Sequence, residues 1–165
     1  MSSATLPATS RTTFLEEYLQ PTLFIPELQS KRKAPAMEEL VAQLAAAHRT
    51  RHPARVLEAV LRRESMGITG LGKGIAVPHA RSTLVTERTV VFARSKKGID
   101  YGATDGKPAQ LLFLLVAPPL ERDPVYLNLM AEIVGAVRLA RTRQRLLDAP
   151  DFKTFRRILV EATRD

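Results

Sequence analysis

The sequence predicts an α/β fold: a single three-layer α/β/α domain whose mixed β-sheet is covered by helices on both faces. Helical patterns lie at both ends of the chain, before residue 65 and after residue 123, and the strand-like runs lie between them. This order is typical of a sheet packed between two layers of helices. The chain has 165 residues, of which 45% are hydrophobic, and this is enough for one core of ordinary size.

Three helices are predicted before residue 65. Thr13 followed by Glu16 matches a capping box, which predicts a short helix over residues 14–19, with a short strand after it at residues 22–25. Two longer helices follow, because apolar side chains recur at intervals of three and four residues and Pro53 suits the first turn of a helix. These helices span about residues 35–48 and 53–64.

The middle of the chain is predicted to supply the sheet. Residues 89–94 form one predicted strand, and residues 99–101 form a possible edge strand. The continuous apolar run at residues 110–117 is predicted as the central strand, because a strand that is buried on both faces shows no polar alternation.

The C-terminal part is predicted to be helical. Asp123 as N-cap and Pro124 at the first helical position predict a long helix to about residue 147. A last helix is predicted over residues 152–162. The side chains of the long helix that we expect to face the core are Leu127, Met130, Val134 and Val137.

Composition excludes several classes of protein. The chain contains no cysteine, so it has no disulfide, no thiolate metal site and no cysteine nucleophile. The longest apolar run, residues 111–117, is far shorter than the roughly 20 residues of a membrane-spanning helix. Residues 1–12 lack the apolar core of a signal peptide and are predicted to be a flexible tail before a domain at residues 13–165. We therefore expect a cytoplasmic protein without membrane insertion.

Positive charge is concentrated in one part of the chain. The net charge is +8, and residues 49–97 alone carry 11 basic and 3 acidic side chains. Such a field favours an anionic partner, whether a nucleic acid, a phosphate group or an acidic protein surface. Nucleic-acid-binding surfaces usually interleave aromatic with basic side chains, and this segment offers only Phe92. A nucleic-acid-binding domain therefore remains the weaker alternative.

Two short motifs are interpreted as accidental. The run from Gly67 to Lys73 resembles a phosphate-binding P-loop, but Gly74 stands where that motif needs Ser or Thr, and a predicted strand follows instead of a helix. His48 and His52 have the spacing of a metal-binding pair on a helix. Arginines crowd this pair and Pro53 marks a helix break there, so surface histidines are the better interpretation.

His79 is the strongest candidate for a reactive side chain. It follows Pro78 at the end of a predicted strand, close in sequence to Lys73 and Arg81 and to a glycine-rich loop. A neutral imidazole is a good nucleophile toward phosphorus, and phosphoryl transfer needs positive charge around the transferred oxygens. From these residues alone, a histidine that only makes local hydrogen bonds remains an open alternative.

A longer pattern includes this histidine. The run RESMGITGLGKGIAVPH at residues 63–79 is similar to the signature of enzyme IIA of the phosphoenolpyruvate-dependent phosphotransferase system, in its mannitol/fructose and nitrogen-regulatory class. DGKP at residues 105–108 and LLFLLVAP at residues 111–118 resemble the turn and the central strand of that family. The resemblance extends from about residue 14 to the C-terminus.

The resemblance implies a phosphotransferase that acts as a phosphocarrier. On this resemblance, His79 accepts a phosphoryl group from the phosphocarrier protein HPr or from a nitrogen-branch HPr-like protein, and Arg63 lies beside it and offsets the phosphate charge. The recipient would be a IIB component in sugar uptake, or a protein regulated by the phosphorylation state. The resemblance implies no bound cofactor, no metal and no nucleic acid.

One position departs from the family pattern. The family has a second histidine early in the helix after Pro124, and here that position is Tyr126. A tyrosine can donate a hydrogen bond to a phosphate oxygen but cannot carry a positive charge. The alternative is therefore a regulatory binding module on the same fold, with weak or no phosphoryl transfer. The predicted site residues are His79, Arg63 and Tyr126.

Overall fold

The computed structural model describes residues 13–120 and 122–165, so the predicted tail at residues 1–12 lies outside the described residues. The helices are α1 (Phe14–Tyr18), α2 (Lys33–Ala46), α3 (Pro53–Ser65), α4 (Pro124–Ala136), α5 (Ala140–Asp148) and α6 (Phe152–Arg164), with a short 3₁₀ helix at Pro21–Leu23. The strands are β1 (Phe24–Ile25), β2 (Gly70–Gly72), β3 (Ile75–Ala76), β4 (His79–Arg81), β5 (Thr89–Ile99) and β6 (Ala109–Ala117). In the described ranges, no helix has the length and apolar character needed to cross a membrane.

The strands form one mixed sheet around β6. Strand β6 pairs antiparallel with β5 along one edge and parallel with β3 and β4 along the other. The order is β1-β5-β6-β3-β2, with β4 also paired to β6. Strand β3 pairs with Leu111 and Leu112, whereas β4 pairs with residues 115–117, so the two short strands lie one after the other along the same edge of β6.

Alternate residues of the two long strands point into two separate cores. Phe92 and Phe113 pack on the side that holds α1, α4, α5 and α6. Val91 and Leu112 pack on the opposite side, against α2 and α3. All four side chains are buried. This arrangement confirms the predicted three-layer fold with helices on both faces of a mixed sheet.

The single helix predicted over residues 123–147 is wrong, because the segment forms two helices, α4 and α5, separated by residues 137–139. Arg143 of α5 donates from Nη1 to the carbonyl oxygens of Val137 at 2.9 Å and Arg138 at 2.8 Å. Carbonyls at the end of a helix have no partner within that helix and need one from outside. A side chain of α5 thus stabilises the break after α4.

The core-facing side of α4 also differs from the prediction. Leu127 and Val134 are 66% and 44% exposed, Met130 is half-buried, and Val137 is buried as expected. The side chains of α4 that face the core are Tyr126, Leu129, Ile133 and Ala136. Apolar residues surround most of α4, so the spacing of three and four residues fits more than one face.

Two strand predictions need correction. The predicted strand at residues 89–94 is the first part of β5, which ends at Ile99, so only the first residue of the predicted strand at 99–101 belongs to a strand. The pairing of β5 with β6 shifts register between Arg94 and Ile99, which explains why the sequence pattern breaks there. Residues 22–25 are only partly extended, because their first half lies in the 3₁₀ helix.

The capping box predicted at Thr13 does not form, since Thr13 makes no side-chain hydrogen bond to the helix. The carboxylate of Glu132 on α4 instead accepts hydrogen bonds from the amides of Phe14 at 3.1 Å and Leu15 at 2.6 Å. A negative charge at a helix N-terminus satisfies free amides and complements the helix dipole. The start of α1 is therefore held by a distant residue.

A buried arginine connects β1, β5 and the end of α5. Arg94 donates from Nε to the carbonyl oxygen of Pro26 at 3.0 Å. Its Nη1 donates to the carbonyl oxygens of Leu146 at 3.0 Å and Ala149 at 2.7 Å. The guanidinium also lies 5.3 Å from the ring centroid of Phe24. Arg94 thus supplies the donors that the C-terminal carbonyls of α5 require.

Replacing Arg94 with Met should lower the free energy of unfolding by about 3 kcal/mol, because the carbonyls that Arg94 binds would stay buried without donors. Denaturant unfolding measures this change. The matched control is Arg145→Met, since Arg145 is exposed and its nitrogen lies 3.9 Å from Glu161, and it should change the free energy of unfolding by less than about 0.5 kcal/mol. Equal unfolding free energies for the two variants would contradict the anchoring role of Arg94.

Candidate functional site

A cleft opens beside β4, between α3 and α4. Among the described residues β4 pairs with β6 alone, so no other strand covers its outer edge. The cleft has a volume of about 420 Å³. The residues that line it are Ala59, Arg62, Arg63, Met66, His79, Ala80, Arg81 and Tyr126. The structure therefore brings the three predicted site residues, His79, Arg63 and Tyr126, into one cleft.

The backbone before β4 fixes the tautomer of His79. Its Nδ1 lies 2.9 Å from the carbonyl oxygen of Val77. A carbonyl oxygen can only accept a hydrogen bond, so Nδ1 of the neutral ring carries the proton and donates it. Nε2 then keeps a free lone pair on a ring that lines the cleft. This is the tautomer that a nucleophile at Nε2 requires.

The surroundings of His79 keep its imidazole neutral. Burial lowers the pKa of His79 from the ordinary value of 6.5, and the positive charges of Arg63 and Arg81 lower it further. The hydrogen bond to Val77 and the carboxylate of Glu64 act in the opposite direction but do not outweigh these effects. None of the residues that line the cleft is acidic. At neutral pH, His79 is thus an uncharged imidazole in positive surroundings.

Tyr126 belongs to the wall of the cleft that α4 provides. Its ring centroid lies 6.4 Å from that of His79, with an angle of 69° between the ring planes. Burial raises the pKa of the Tyr126 phenol, and the positive charges of Arg81 and Arg63 only partly offset this effect. The phenol therefore stays protonated and can donate a hydrogen bond. Asp123 positions the residue, because its side chain accepts the Tyr126 amide at 3.1 Å as the N-cap of α4.

The last turn of α3 places two adjacent side chains in opposite environments. Arg63 lines the cleft and donates from Nη1 to the carbonyl oxygen of Gly67 at 3.2 Å. Glu64 is buried, accepts hydrogen bonds from the amide and the hydroxyl of Thr69, and forms an ion pair with Lys33 at 2.6 Å. Burial alone would raise the pKa of Glu64, but its hydrogen bonds to Lys33 and Thr69 lower it overall. The ionised Glu64 thus fixes the loop that follows Arg63.

Lys73, a sequence neighbour of His79, lies outside this cleft. It occupies the turn between β2 and β3 with a φ of 56° and lines a different cleft. Ile75 pairs with Leu111 whereas His79 pairs with Leu115, so the two strands are offset by about 13 Å along β6. The segment after Lys73 is a strand, as the argument against a P-loop required.

Besides two alanines, three residues that line the cleft are absent from the predicted site. Arg81 enters the sequence-based prediction only as a neighbour of His79, although alternation along a strand would have placed both on the same face. Arg62 and Met66 reach the cleft because α3 packs beside β4. That packing depends on tertiary structure, so no local sequence signal identifies these two residues.

The remaining histidines lie apart from the cleft. His48 follows the end of α2 with a φ of 59°, and His52 precedes α3, so they do not share a helix. Both are exposed. In residues 13–120 and 122–165, no group of three or more His, Asp or Glu side chains is arranged to hold a metal ion.

Comparison with known proteins identifies the family. The family model described as "Phosphoenolpyruvate-dependent sugar phosphotransferase system, EIIA 2" matches residues 17–162. The chain therefore belongs to the EIIA 2 family of the phosphoenolpyruvate-dependent sugar phosphotransferase system, as the resemblance predicted.

Two fructose-specific proteins are similar in sequence to this chain. The chain is 38% identical over 105 residues to the fructose-specific EIIA component of Haloferax volcanii, which covers 64% of this chain and 68% of that protein. It is 34% identical over 122 residues to the fructose-specific EIIABC component of Bacillus subtilis, which covers 74% of this chain but 19% of that protein. The chain thus spans about a fifth of this longer relative.

A solved structure has the same fold over nearly its whole length. The nitrogen regulatory protein IIA-Ntr from Neisseria meningitidis superposes with a TM-score of 0.80 at 28% sequence identity. The superposition covers 89% of this chain and 99% of that protein. The fold around the cleft is therefore the fold of an EIIA protein.

His79 should titrate below pH 6.5, because burial and the nearby arginines disfavour its charged form. NMR of the ring protons against pH measures this pKa, with His79→Gln identifying the resonance. Since folding lowers this pKa, the free energy of unfolding should be unaffected by His79 above about pH 6.5 and should fall as the pH drops below that value toward the folded pKa. A measured pKa at or above 6.5 would contradict the neutral, buried imidazole.

Proposed function

We propose that this chain is a phosphocarrier that accepts a phosphoryl group on Nε2 of His79. The observation that carries the proposal is a neutral imidazole, fixed by Val77, in a cleft lined by three arginines and no acidic side chain. Membership of the EIIA 2 family supports the same chemistry.

The transfer step uses a lone pair and a leaving nitrogen. The lone pair of Nε2 attacks the phosphorus of a donor phosphohistidine, a new N–P bond forms on His79, and the donor N–P bond breaks with its electron pair returning to the donor nitrogen. The Nδ1 proton stays in its hydrogen bond to Val77. Arg63 offsets the negative charge of the phosphoryl oxygens, which is the main assistance that such a transfer needs. In onward transfer, a nucleophile of the acceptor attacks the phosphorus and the N–P bond of His79 breaks with its electron pair returning to Nε2. No bound cofactor takes part.

We propose that both the donor and the recipient of the phosphoryl group are proteins. Met66 lines the cleft with 76% of its surface exposed, and Leu127, next to Tyr126, is 66% exposed. Exposed apolar side chains beside a reactive group suit contact with a protein surface. The proposed donor is HPr or a nitrogen-branch HPr-like protein, and the proposed recipient is a IIB component or a regulated protein in the cytoplasm.

Incubation with phosphoenolpyruvate, enzyme I and HPr should add a single phosphoryl group to His79, because His79 is the histidine that the cleft keeps neutral and surrounds with arginines. Mass spectrometry of the intact protein measures the addition, and NMR should place it on Nε2. The group should be lost in acid and retained in base, as expected of a phosphoramidate.

Two variants make this test specific. His79→Ala should stay unmodified, whereas His52→Ala, which removes an exposed histidine outside the cleft, should be phosphorylated like the wild type. A modification that survives acid, or that persists in His79→Ala, excludes a phosphohistidine at this position.

A regulatory role on the same fold is the second candidate, and Tyr126 is the observation that favours it. The phenol beside His79 can give a phosphoryl group one neutral hydrogen bond, which is weaker than a charged one. A slowly discharged phosphoprotein suits a protein whose phosphorylation state is read by a partner. The similarity to a nitrogen regulatory protein supports this candidate.

Tyr126→His should speed onward transfer to a surrogate IIB domain, because a histidine can present a charged donor to the phosphoryl group. Tyr126→Phe should slow transfer or shorten the lifetime of the phosphoprotein by about 2- to 10-fold, the effect of one neutral hydrogen bond. Radiolabelled phosphate transfer measures both rates. Thr163→Val is the control, because it removes a neutral hydroxyl on α6 outside the cleft.

The wild-type rate then separates the two candidates. Rapid transfer by the wild type supports a role in sugar uptake, whereas a long-lived phosphoprotein that Tyr126→His discharges supports regulation. Unchanged formation, lifetime and transfer in both Tyr126 variants would remove Tyr126 from the site.

A further inference from the structure

Arg81 lines the cleft together with His79, but the proposed function gives it no role of its own in phosphoryl transfer. Side chains alternate along a strand, so His79 and Arg81 extend from the same face of β4, and Ala80 between them is buried. The guanidinium carbon of Arg81 lies 4.1 Å from the ring centroid of Tyr126. A cation therefore lies on the cleft wall that comes from a different element than Arg62 and Arg63.

The contacts of Arg81 leave its hydrogen-bond donors weakly used. Its Nη1 lies 3.4 Å from the carbonyl oxygen of Pro118 and 3.7 Å from Oδ2 of Asp123. The first distance is at the upper limit of a hydrogen bond and the second exceeds it. Stacking on Tyr126 occupies the face of the guanidinium, whereas its five N–H groups lie in the plane and stay available.

Asp123 takes its hydrogen bonds from groups other than Arg81, and its buried Oδ2, which lies 3.7 Å from Nη1 of Arg81, accepts none. Its Oδ1 accepts hydrogen bonds from the Tyr126 amide at 3.1 Å and from Nη1 of Arg88 at 3.1 Å. Arg88 is held in turn by Nε, which donates to the hydroxyl of Tyr18 at 3.2 Å. The start of α4 thus has its own cation, and Arg81 can redirect its donors toward another anion without removing the N-cap.

We propose that Arg81 is a second cation that binds the phosphoryl group on His79 and stabilises it during transfer. This inference rests on the proposed function. Arg63 contacts the group from α3 and Arg81 contacts it from β4, with the ring of Tyr126 as the platform that holds the guanidinium. Arg81 therefore contributes the positive charge that Tyr126 itself cannot carry.

The same charge acts on His79 before transfer. The side chains with a titratable or charged group that line the cleft around the imidazole are Arg62 and Arg63 from α3, Arg81 from β4 and Tyr126 from α4. The Val77 carbonyl and the buried carboxylate of Glu64 also act on its charge. Arg81 opposes protonation of the ring, so removal of its charge should raise the pKa of His79. A lysine keeps the charge but lacks the planar fork, so it should preserve this pKa and recover only part of the binding to phosphate.

The test uses potassium phosphoramidate, a small phosphoryl donor that needs no partner protein. The full chain and its Arg81→Gln and Arg81→Lys variants are compared with Arg55→Gln, which removes the same charge from an exposed position outside the cleft. Phosphorus NMR follows the rate of phosphohistidine formation, and proton NMR follows the pKa of His79. Arg81→Gln should form phosphohistidine about 10- to 100-fold more slowly at a pH where His79 is neutral, and should raise its pKa. Arg55→Gln should match the wild type in both.

The outcomes separate this inference from the proposed function. A wild type that forms no phosphohistidine at His79 overturns the proposed function, and this inference with it. A wild type that reacts while Arg81→Gln reacts at the same rate overturns the role of Arg81 alone. Should Arg81→Gln fail to fold, Arg81→Lys decides: a slower reaction with an unchanged His79 pKa supports direct contact with the phosphoryl group, and a wild-type rate overturns it.

Discussion

The burial of β6 on both faces is the constraint on which the rest of the structure depends. Almost every residue of this strand is buried, and three strands form hydrogen-bonded ladders along its two edges. Strands β3 and β4 are short and lie one after the other along one edge, and Val77 and Pro78 link them. Pro78 keeps the ladder through its carbonyl, which accepts the Leu115 amide at 3.0 Å, while the Val77 carbonyl is left for His79. The orientation of the His79 imidazole thus follows from how a short edge strand attaches to the central strand.

The cleft combines elements from both helical layers, and each layer contributes a different kind of group. The α3 side provides arginine charge, and the buried Glu64 stabilises the loop that follows it. The α4 side provides a protonated phenol whose backbone is fixed by Asp123. Strand β4 lies between them with His79 and Arg81. The neutral imidazole and the surrounding cations are therefore compatible, because the positive charges of Arg63 and Arg81 help to keep the imidazole unprotonated.

The sequence predicted the parts of the fold and site that depend on local pattern. The apolar run of β6 and the N-cap at Asp123 each follow from neighbouring residues, and the structure contains both. The strand end predicted at His79 is wrong, because β3 ends at Ala76 and His79 is the first residue of β4. The break between α4 and α5 could not be predicted in this way, because it depends on Arg143 reaching back to the end of α4. The same division holds for the cleft. The family pattern predicts His79, Arg63 and Tyr126, whereas Arg62 and Met66 reach the cleft only because helices pack against the sheet.

The hydrogen bonds from α1 to Glu132 have a consequence for the order in which the molecule assembles. A helix of five residues is too short to persist alone in water, so α1 depends on contacts outside it, which are the burial of Leu15 in the core and the binding of its amides. The amide of Leu15 is bound by the carboxylate of Glu132, which lies 117 residues further along the chain. Helix α1 is thus among the last elements that can become stable in folding, and its stability in the native state depends on α4 being folded.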